Sequence, residues 1–364
     1  MFLSFVNFIK YIFYPYNKKK FTIYSESIFY KNYYYEFAKK LNKNNEVVIV
    51  TSDKLEFETL KHSFTTFLIE NLLIRFLFFS FVNCKFLIMT MNDIGNNYAK
   101  SKFCDNYVYF FHSLASTHII YNEKAYDNYD IIFVNGKYQE NEIKFRENLI
   151  NLKPKKIVNT GYFFLKHLRE INNCNKINNL VLFAPSWNKS KKNLFEILSL
   201  DIIQKLLDLR YYVILRPHPE LIKRNFNKYD LIKKKFKKIS DFQIDNSVNN
   251  TYLNKCEMLI TDNSTIGIEY SYLNYKPPIY FNLEDKIHNP NYKKISLDSY
   301  EDTFKKKFGI NINSITELGN LKKLINDFFL SNVNFSDDLK KFESETLYSA
   351  HNSIDVACKF LQKS

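Results

Sequence analysis

A short apolar run, Glu257 to Ile260 (EMLI), breaks into the polar turn Thr261-Asp262-Asn263-Ser264-Thr265 and then into a helical pattern through Tyr270. The apolar run suits a strand at the centre of a parallel sheet, and the Asp, Asn, Ser and Thr side chains are those that start helices. A strand that ends in the first turn of a helix presents free N–H groups and the positive end of the helix dipole at the carboxyl edge of the sheet. Hydroxyls at Ser264 and Thr265 add donors for phosphate oxygens, and Gly267 allows a ligand or a neighbouring backbone to come close. The same junction also serves as plain architecture in many folds.

A second strand, Tyr211 to Leu215, runs into Arg216-Pro217-His218-Pro219. The two prolines fix this loop and argue against a helix there, so the arginine and the histidine are expected on a rigid turn at a strand end. Around these two junctions the chain alternates between short apolar runs and helical stretches, the pattern of parallel α/β domains. In the first half strands are predicted at Phe21 to Tyr24, Glu46 to Thr51, Phe86 to Thr90, Tyr107 to Phe111, Asp130 to Val134 and Lys156 to Thr160. In the second they are predicted at Leu180 to Ala184, Tyr212 to Leu215, Phe242 to Asp245, Met258 to Thr261 and Pro278 to Phe281. The polar stretch Asn172 to Asn179 (NNCNKINN) reads as a linker, giving an N-terminal domain 1–171 and a C-terminal domain 172–364. The basic segment Lys223 to Lys238 reads as one helix with a solvated face, and the tail Asp337 to Leu361 reads as helical.

The apolar segment Phe64 to Phe81 carries Glu70, Asn71 and Arg75 near its middle. A bilayer would penalise such charges by roughly 2.5–3.5 kcal/mol each, so a buried or interfacial helix is expected rather than a membrane span. The opening residues 1–16 stop at Pro15 and lack a cleavage site, and so fit neither a signal peptide nor a span. On a helix, Phe2, Phe5, Val6, Ile9 and Phe13 share one face, Ser4, Asn7, Tyr11 and Tyr14 the other, and Lys18 to Lys20 follow. That is the pattern of an interfacial helix with a basic flank, and equally of a helix packed on its own domain.

A formal net charge of +14 points to an anionic partner, such as a nucleotide, a polyphosphate polymer or a membrane surface. The abundance of Lys, Asn, Ile, Phe and Tyr also fits AT-rich codon usage, which raises lysine without functional demand. The five cysteines, Cys84, Cys104, Cys174, Cys256 and Cys358, contain no CxxC pair and favour a reducing cytosol. No zinc spacing occurs among them or the dispersed histidines, so no metal is expected.

Taken in order, Phe110-Phe111-His112-Ser113, Tyr129 to Phe133, Thr160-Gly161-Tyr162, Leu182 to Trp187, Arg216-Pro217-His218-Pro219 and Thr261 to Thr265 resemble the CDP-glycerol glycerophosphotransferase family of teichoic-acid primases, polymerases and capsule relatives. The resemblance covers most of the chain. It implies two Rossmann-like domains of the GT-B type facing across a cleft, with a C-terminal helix that crosses back to the first domain. It further implies transfer of glycerol phosphate from CDP-glycerol to a hydroxyl of a surface glycan, polymer or lipid-linked acceptor, with release of CMP and no cofactor. His112 would be the general base, with His218 the other catalytic group; Arg216 and His218 would neutralise the pyrophosphate and Ser264 and Thr265 cradle it. Asp262 and Glu269 would cap the helix or hold donor hydroxyls, and Ser113 and His118 could share the site, although His118 also suits a structural role. Two positions depart from the family pattern. Ser113 stands where a glycine often follows the first histidine, and the usual Gly-Tyr-Pro-Arg-x-Asp run reads Gly161-Tyr162-Phe163-Phe164-Leu165-Lys166. A GT-B enzyme moving a sugar would use the same architecture but release a nucleoside diphosphate. A non-enzymatic protein binding anionic lipid or nucleic acid would show salt-dependent binding without turnover, and no nucleic-acid motif supports it. The expected location is the cytoplasm, including the inner face of the membrane.

Overall fold

The structure is a computed structural model that describes residues 1–92, 94–170, 176–188, 193–349 and 351–364. The chain divides into two compact units whose sequences interleave: Met1–Ser113, Tyr121–His167 and Thr346–Ser364 form the first, Leu114–Ile120 and Leu168–Glu345 the second. The expected linker 172–179 falls in part on residues 171–175, outside the described residues, as does Cys174.

In the first unit the strands are β1 (Phe21–Ser25), β2 (Val47–Thr51), β3 (Thr65–Leu68), β4 (Phe86–Met89), β5 (Asn106–Phe110), β6 (Ile131–Val134) and β7 (Lys156–Asn159). They form one parallel sheet in the order β3-β2-β1-β4-β5-β6-β7. Its central strands are buried on both faces, which is why they read as unbroken Val/Ile/Phe runs rather than as alternation. In register, Ile23 lies between Ile49 and Ile88. The second unit repeats the plan with β8 (Leu180–Phe183), β9 (Tyr212–Leu215), β10 (Phe242–Ile244), β11 (Met258–Thr261), β12 (Ile279–Phe281) and β13 (Ile310–Ile312). Its parallel order is β10-β9-β8-β11-β12-β13, and each unit has a hydrophobic core of its own. The expected doubly wound α/β architecture is therefore present in both units.

Several elements differ from the sequence reading. The apolar segment 64–81 is not one helix but β3 followed by a helix Leu72–Phe81. Asn71 divides them: its Oδ1 accepts the N–H groups of Leu73 and Ile74 at 3.1 and 3.3 Å and so starts the helix. The basic stretch 223–238 is split at Asn225 into helices Pro219–Arg224 and Phe226–Phe236. A helix thus begins at the second proline of the RPHP loop, because proline at the first helical position gives up an N–H that has no partner there. The tail contains two helices, Phe335–Thr346 and Ser353–Lys363. The latter crosses back to the first unit, where Ile354, Ala357, Cys358 and Leu361 join a core with Tyr34, Phe37 and Leu41 of the helix Lys31–Leu41.

Two glycines of the first unit receive this returning segment. A Cβ at Gly136 would lie 2.1 Å from the Thr346 carbonyl oxygen, and one at Gly161 would lie 1.9 Å from that of Tyr348. Gly161 also holds φ at +82°, a conformation that side chains disfavour. The four described cysteines are thiols, with Cys84 and Cys104 in buried contact, Sγ to Sγ, at 3.7 Å.

The N-terminal helix Phe2–Phe13 packs with its more polar face inward. Ser4 Oγ accepts the N–H groups of Glu70 and Asn71, Tyr11 hydroxyl is bonded to Thr22, and Lys19 Nζ caps the helix end at the carbonyls of Tyr11 and Ile12. The apolar face is left in solvent: Phe2 is 81%, Phe5 46% and Phe13 80% exposed.

Candidate active site

In an open parallel sheet, ligands bind outside the carboxyl ends of the strands where the winding reverses. In the second unit that point lies between β8 and β11, since the chain runs outward from β8 to β10 and then returns to the other side of β8. The two strand ends are tied together. Asp262 Oδ1 accepts the Ser186 N–H at 2.8 Å, and Thr261 Oγ1 donates to the Ala184 carbonyl at 2.7 Å. Burial pushes the Asp262 carboxyl above its usual range, against the pull of the Ser186 hydrogen bonds and of Lys286. Asp262 therefore shapes the crevice from beneath. Ser264 and Thr265 stand half-buried at its mouth, directly before the helix Ile266–Asn274. The Thr265 side chain makes no capping bond of its own, and the first N–H of the helix, that of Ile266, is accepted by Ser264 Oγ at 3.4 Å. Glu269 is buried in the first turn of the helix, below the mouth. Gly267 has a different reason from a ligand: a Cβ there would lie 2.3 Å from the Tyr280 hydroxyl of β12.

The RPHP loop lies one strand away, after β9. His218 is exposed, and its Nδ1 accepts the Glu220 N–H at 3.2 Å, so it caps the helix that follows. Arg216 turns the other way. Its guanidinium donates to Asp245 at 2.6 Å, to the Ser247 carbonyl at 3.1 Å and to Asn250, and so holds the loop after β10. With Asp245 only 3% exposed, this is a buried, charge-assisted contact.

Sequence reasoning passed over the neighbours of these residues. Trp187, after β8, has His288 at 4.8 Å and His218 at 6.3 Å between ring centroids, with Arg224 at 4.9 Å and Lys286 at 5.8 Å from its ring. Beside Ser264 a pocket is lined by Asn263, Asp285, Lys286, Asp302 and Lys305, with Tyr280 as part of its wall. No local pattern marks these lysines, since what makes them neighbours is the strand order, which places the loops after β11 and β12 side by side.

In the first unit His112 follows β5, one strand from the reversal between β1 and β4. Its half-buried ring is surrounded by Tyr30 at 5.0 Å, Tyr33 at 6.0 Å and Tyr121 at 6.4 Å. The Tyr162 hydroxyl of the Gly161-Tyr162 motif donates to the His112 carbonyl at 3.3 Å, which fixes the backbone there. Ser113 Oγ is bonded to the Tyr121 hydroxyl at 3.1 Å, and Asn135 Nδ2 donates to its carbonyl at 2.8 Å. His118 lies in the segment Leu114–Ile120, which belongs to the second unit. It is 3% exposed, with Nε2 3.1 Å from the Leu297 carbonyl oxygen and its own carbonyl accepting from Asn289. Ser116 completes that docking, its N–H donating to both oxygens of Glu301 at 3.0 Å. Among the described residues no cluster of His, Cys, Asp and Glu could hold a metal ion.

Solved structures share this fold at low identity. The wall teichoic acid polymerase TagF is 16% identical, aligns over 99% of this chain and 93% of its own, and gives a TM-score of 0.59. UDP-GlcNAc 2-epimerase from Neisseria meningitidis, bound to UDP-GlcNAc, is 10% identical over 94% of this chain and 99% of its own, with a TM-score of 0.58. The Methanocaldococcus jannaschii UDP-GlcNAc 2-epimerase, in complex with UDP-GlcNAc and UDP, is 14% identical over 84% and 92%, with a TM-score of 0.55. No curated protein matches the chain. The family model described as CDP-Glycerol:Poly(glycerophosphate) glycerophosphotransferase matches residues 112–326, from His112 through both junctions to beyond β13. With more than half of its length matched, and with the fold of a polymer transferase, the chain belongs to the CDP-glycerol:poly(glycerophosphate) glycerophosphotransferase family and is a transferase.

Proposed function

We propose that the protein transfers glycerol phosphate from CDP-glycerol to a hydroxyl of a surface glycan, polymer or lipid-linked acceptor and releases CMP. The observation that carries this reading is the crevice at the β8/β11 reversal, where the positive end of the helix Ile266–Asn274, Ser264 and Thr265 lie within a family-matched segment that also brings Arg224 and Lys286 to Trp187. His112 takes the proton of the acceptor hydroxyl as its oxygen bonds to the β-phosphorus. The bond from that phosphorus to the bridging oxygen breaks, and the electron pair leaves with CMP. The donor's phosphate oxygens are held by Ser264, Thr265 and the helix start, with His218 at the rim; Arg216 acts through the loop it anchors. The reading needs no cofactor beyond the donor. A panel of CDP-glycerol, CDP-ribitol and common nucleotide sugars, offered with acceptor and scored by the nucleotide released, is expected to show CMP formation from CDP-glycerol. Release of a nucleoside diphosphate from a nucleotide sugar instead would make the enzyme a glycosyltransferase in the ordinary sense.

A second surface supports a reading of where the protein acts. The helices Phe2–Phe13 and Leu72–Phe81 pack together, and both leave apolar side chains in solvent: Phe2, Phe5 and Phe13 on one, Leu72, Leu73 and Phe81 on the other. Phe103 stacks on Phe81 at 6.5 Å and is itself 59% exposed. Apolar area on that scale, followed at once by Lys18 and Lys20, suits the headgroup region of an anionic bilayer. No helix among the described residues is long and apolar enough to cross a membrane, and the contact proposed is a peripheral one on the inner face. Leu72→Glu combined with Leu73→Glu is expected to abolish most sedimentation with phosphatidylglycerol vesicles while leaving the melting temperature within about 2 °C, because both positions are exposed. Unchanged sedimentation would assign this face to another role.

A further inference from the structure

The pocket beside Ser264 has a chemical character that the phosphate-binding crevice alone does not require. It is bounded by the loop after β11, the loop after β12, the first turns of the helix Tyr300–Phe308 and an apolar wall of Ile119 and Ile120. Lys305 is aimed rather than loose. Asn263 Oδ1 accepts from its Nζ at 3.1 Å, Asn263 Nδ2 in turn donates to the Glu284 carbonyl at 3.2 Å, and the ammonium lies 5.6 Å from the Tyr280 ring. That ring can occupy its place only because residue 267 is glycine. Lys286 faces two ways, lining the pocket and standing 5.8 Å over Trp187. Burial holds both ammonium groups below their usual range. The opposing pulls, from Asp262 and Glu301 on Lys286 and from Asp302, Asp285 and Asp262 on Lys305, are the weaker effects. An anion placed beside the two ammonium groups would offset that cost of burial.

The pocket is not simply cationic. Asp285 and Asp302 stand exposed at its rim. Glu301 is a different case, since both of its oxygens accept the Ser116 N–H and one also accepts from Ser299. A polyphosphate would be repelled by the two rim carboxylates, and a neutral sugar would offset none of the cost of burying the two ammonium groups. A ligand with one anionic end and several hydroxyls matches both demands.

We propose that this pocket seats a phosphorylated polyol, with Lys286 and Lys305 on the phosphate, Ser264 donating to it, and Asp285 and Asp302 accepting hydrogen bonds from the polyol hydroxyls. The choice of glycerol as that polyol rests on the donor proposed above. On this arrangement the nucleotide end lies on the Trp187 side of Lys286, and the carboxylates are what distinguish CDP-glycerol from a bare nucleotide.

Trp187 is the only tryptophan in the chain, so its fluorescence reports on ligands arriving next to Lys286. In the full-length protein, CMP, CDP-glycerol and sn-glycerol 3-phosphate are titrated against wild type, Lys305→Met and Asp302→Asn, with calorimetry as the second readout. Wild type is expected to prefer CDP-glycerol to CMP by tenfold or more, about one well-formed charge-assisted contact. Each variant should lose about tenfold in affinity for CDP-glycerol while CMP affinity stays within about twofold, which also shows that the variants are folded. If both variants keep the wild-type ratio of CDP-glycerol to CMP affinity and CDP-glycerol is still turned over, the pocket is overturned and the donor stands. If wild type does not use CDP-glycerol yet binds glycerol 3-phosphate in a way that Lys305→Met abolishes, the donor falls and the pocket stands.

Discussion

Replacing His112 with alanine is expected to lower kcat by about 10²–10⁴-fold, the usual contribution of a positioned general base, with donor affinity unchanged. The expectation rests on where the side chain is held. His112 leaves β5 at the carboxyl edge of the first sheet, and its ring is fenced by Tyr30, Tyr33 and Tyr121, which limits the directions in which it can turn. Imidazole is also the side chain whose ordinary proton affinity lies nearest neutrality. Phosphoryl transfer through a loose transition state asks less of a base, which sets the lower end of the range. Ser264→Ala should fail in a different way, mainly raising the KM for the donor, because its hydroxyl stands at the mouth of the other sheet's crevice and binds without moving a proton. Steady-state kinetics with the competent donor and acceptor separate the two. A wild-type kcat in His112→Ala would remove the residue from the mechanism and turn attention to an aspartate of the first unit.

The second large effect is on stability. Gly161→Ala is expected to cost on the order of 3–4 kcal/mol, because it forces a side chain into the left-handed region and drives its Cβ against the Tyr348 carbonyl. For domains of this size that corresponds to a fall in Tm of roughly 6–16 °C. Gly319→Ala is the control: a Cβ there meets nothing within 4 Å, and its Tm should stay within about 2 °C of wild type. Scanning calorimetry checks both. Equal melting of Gly161→Ala and wild type would mean that the C-terminal segment does not lie against Gly161 as described.

The sheets were legible in the sequence because parallel strands buried on both faces leave continuous apolar runs that polar turns interrupt, as at Glu46 to Thr51 and Met258 to Thr261. The strand ends were legible for a similar reason, since prolines and cap residues stand out against those runs. What escaped was whatever depends on partners distant in sequence. That Arg216 donates to Asp245 and Asn250 cannot be read from its own stretch of sequence. The segment 64–81 is so uniformly apolar that its division at Asn71 has no periodic signature. Ser4 and Tyr11 go inward on the first helix because Glu70, Asn71 and Thr22 offer them hydrogen bonds, and no hydrophobic pattern could announce that. The strand β13 is only three residues long, with its middle one exposed, and falls below what an apolar run can mark.

The interleaving of the two units bears on the order in which the protein can be made. A ribosome delivers the residues of the first sheet well before those of the second, and domains ordinarily fold as they emerge. Here the core of that first sheet waits for Ile354, Ala357, Cys358 and Leu361, which follow the whole second unit. The segment Leu114–Ile120 waits as well, since Tyr300 and Glu301, which bind Ser116, are made long after it. The half of the enzyme that is synthesised first is therefore the half that is finished last, and the nascent chain carries an open apolar groove along the helix Lys31–Leu41 until its final helix arrives.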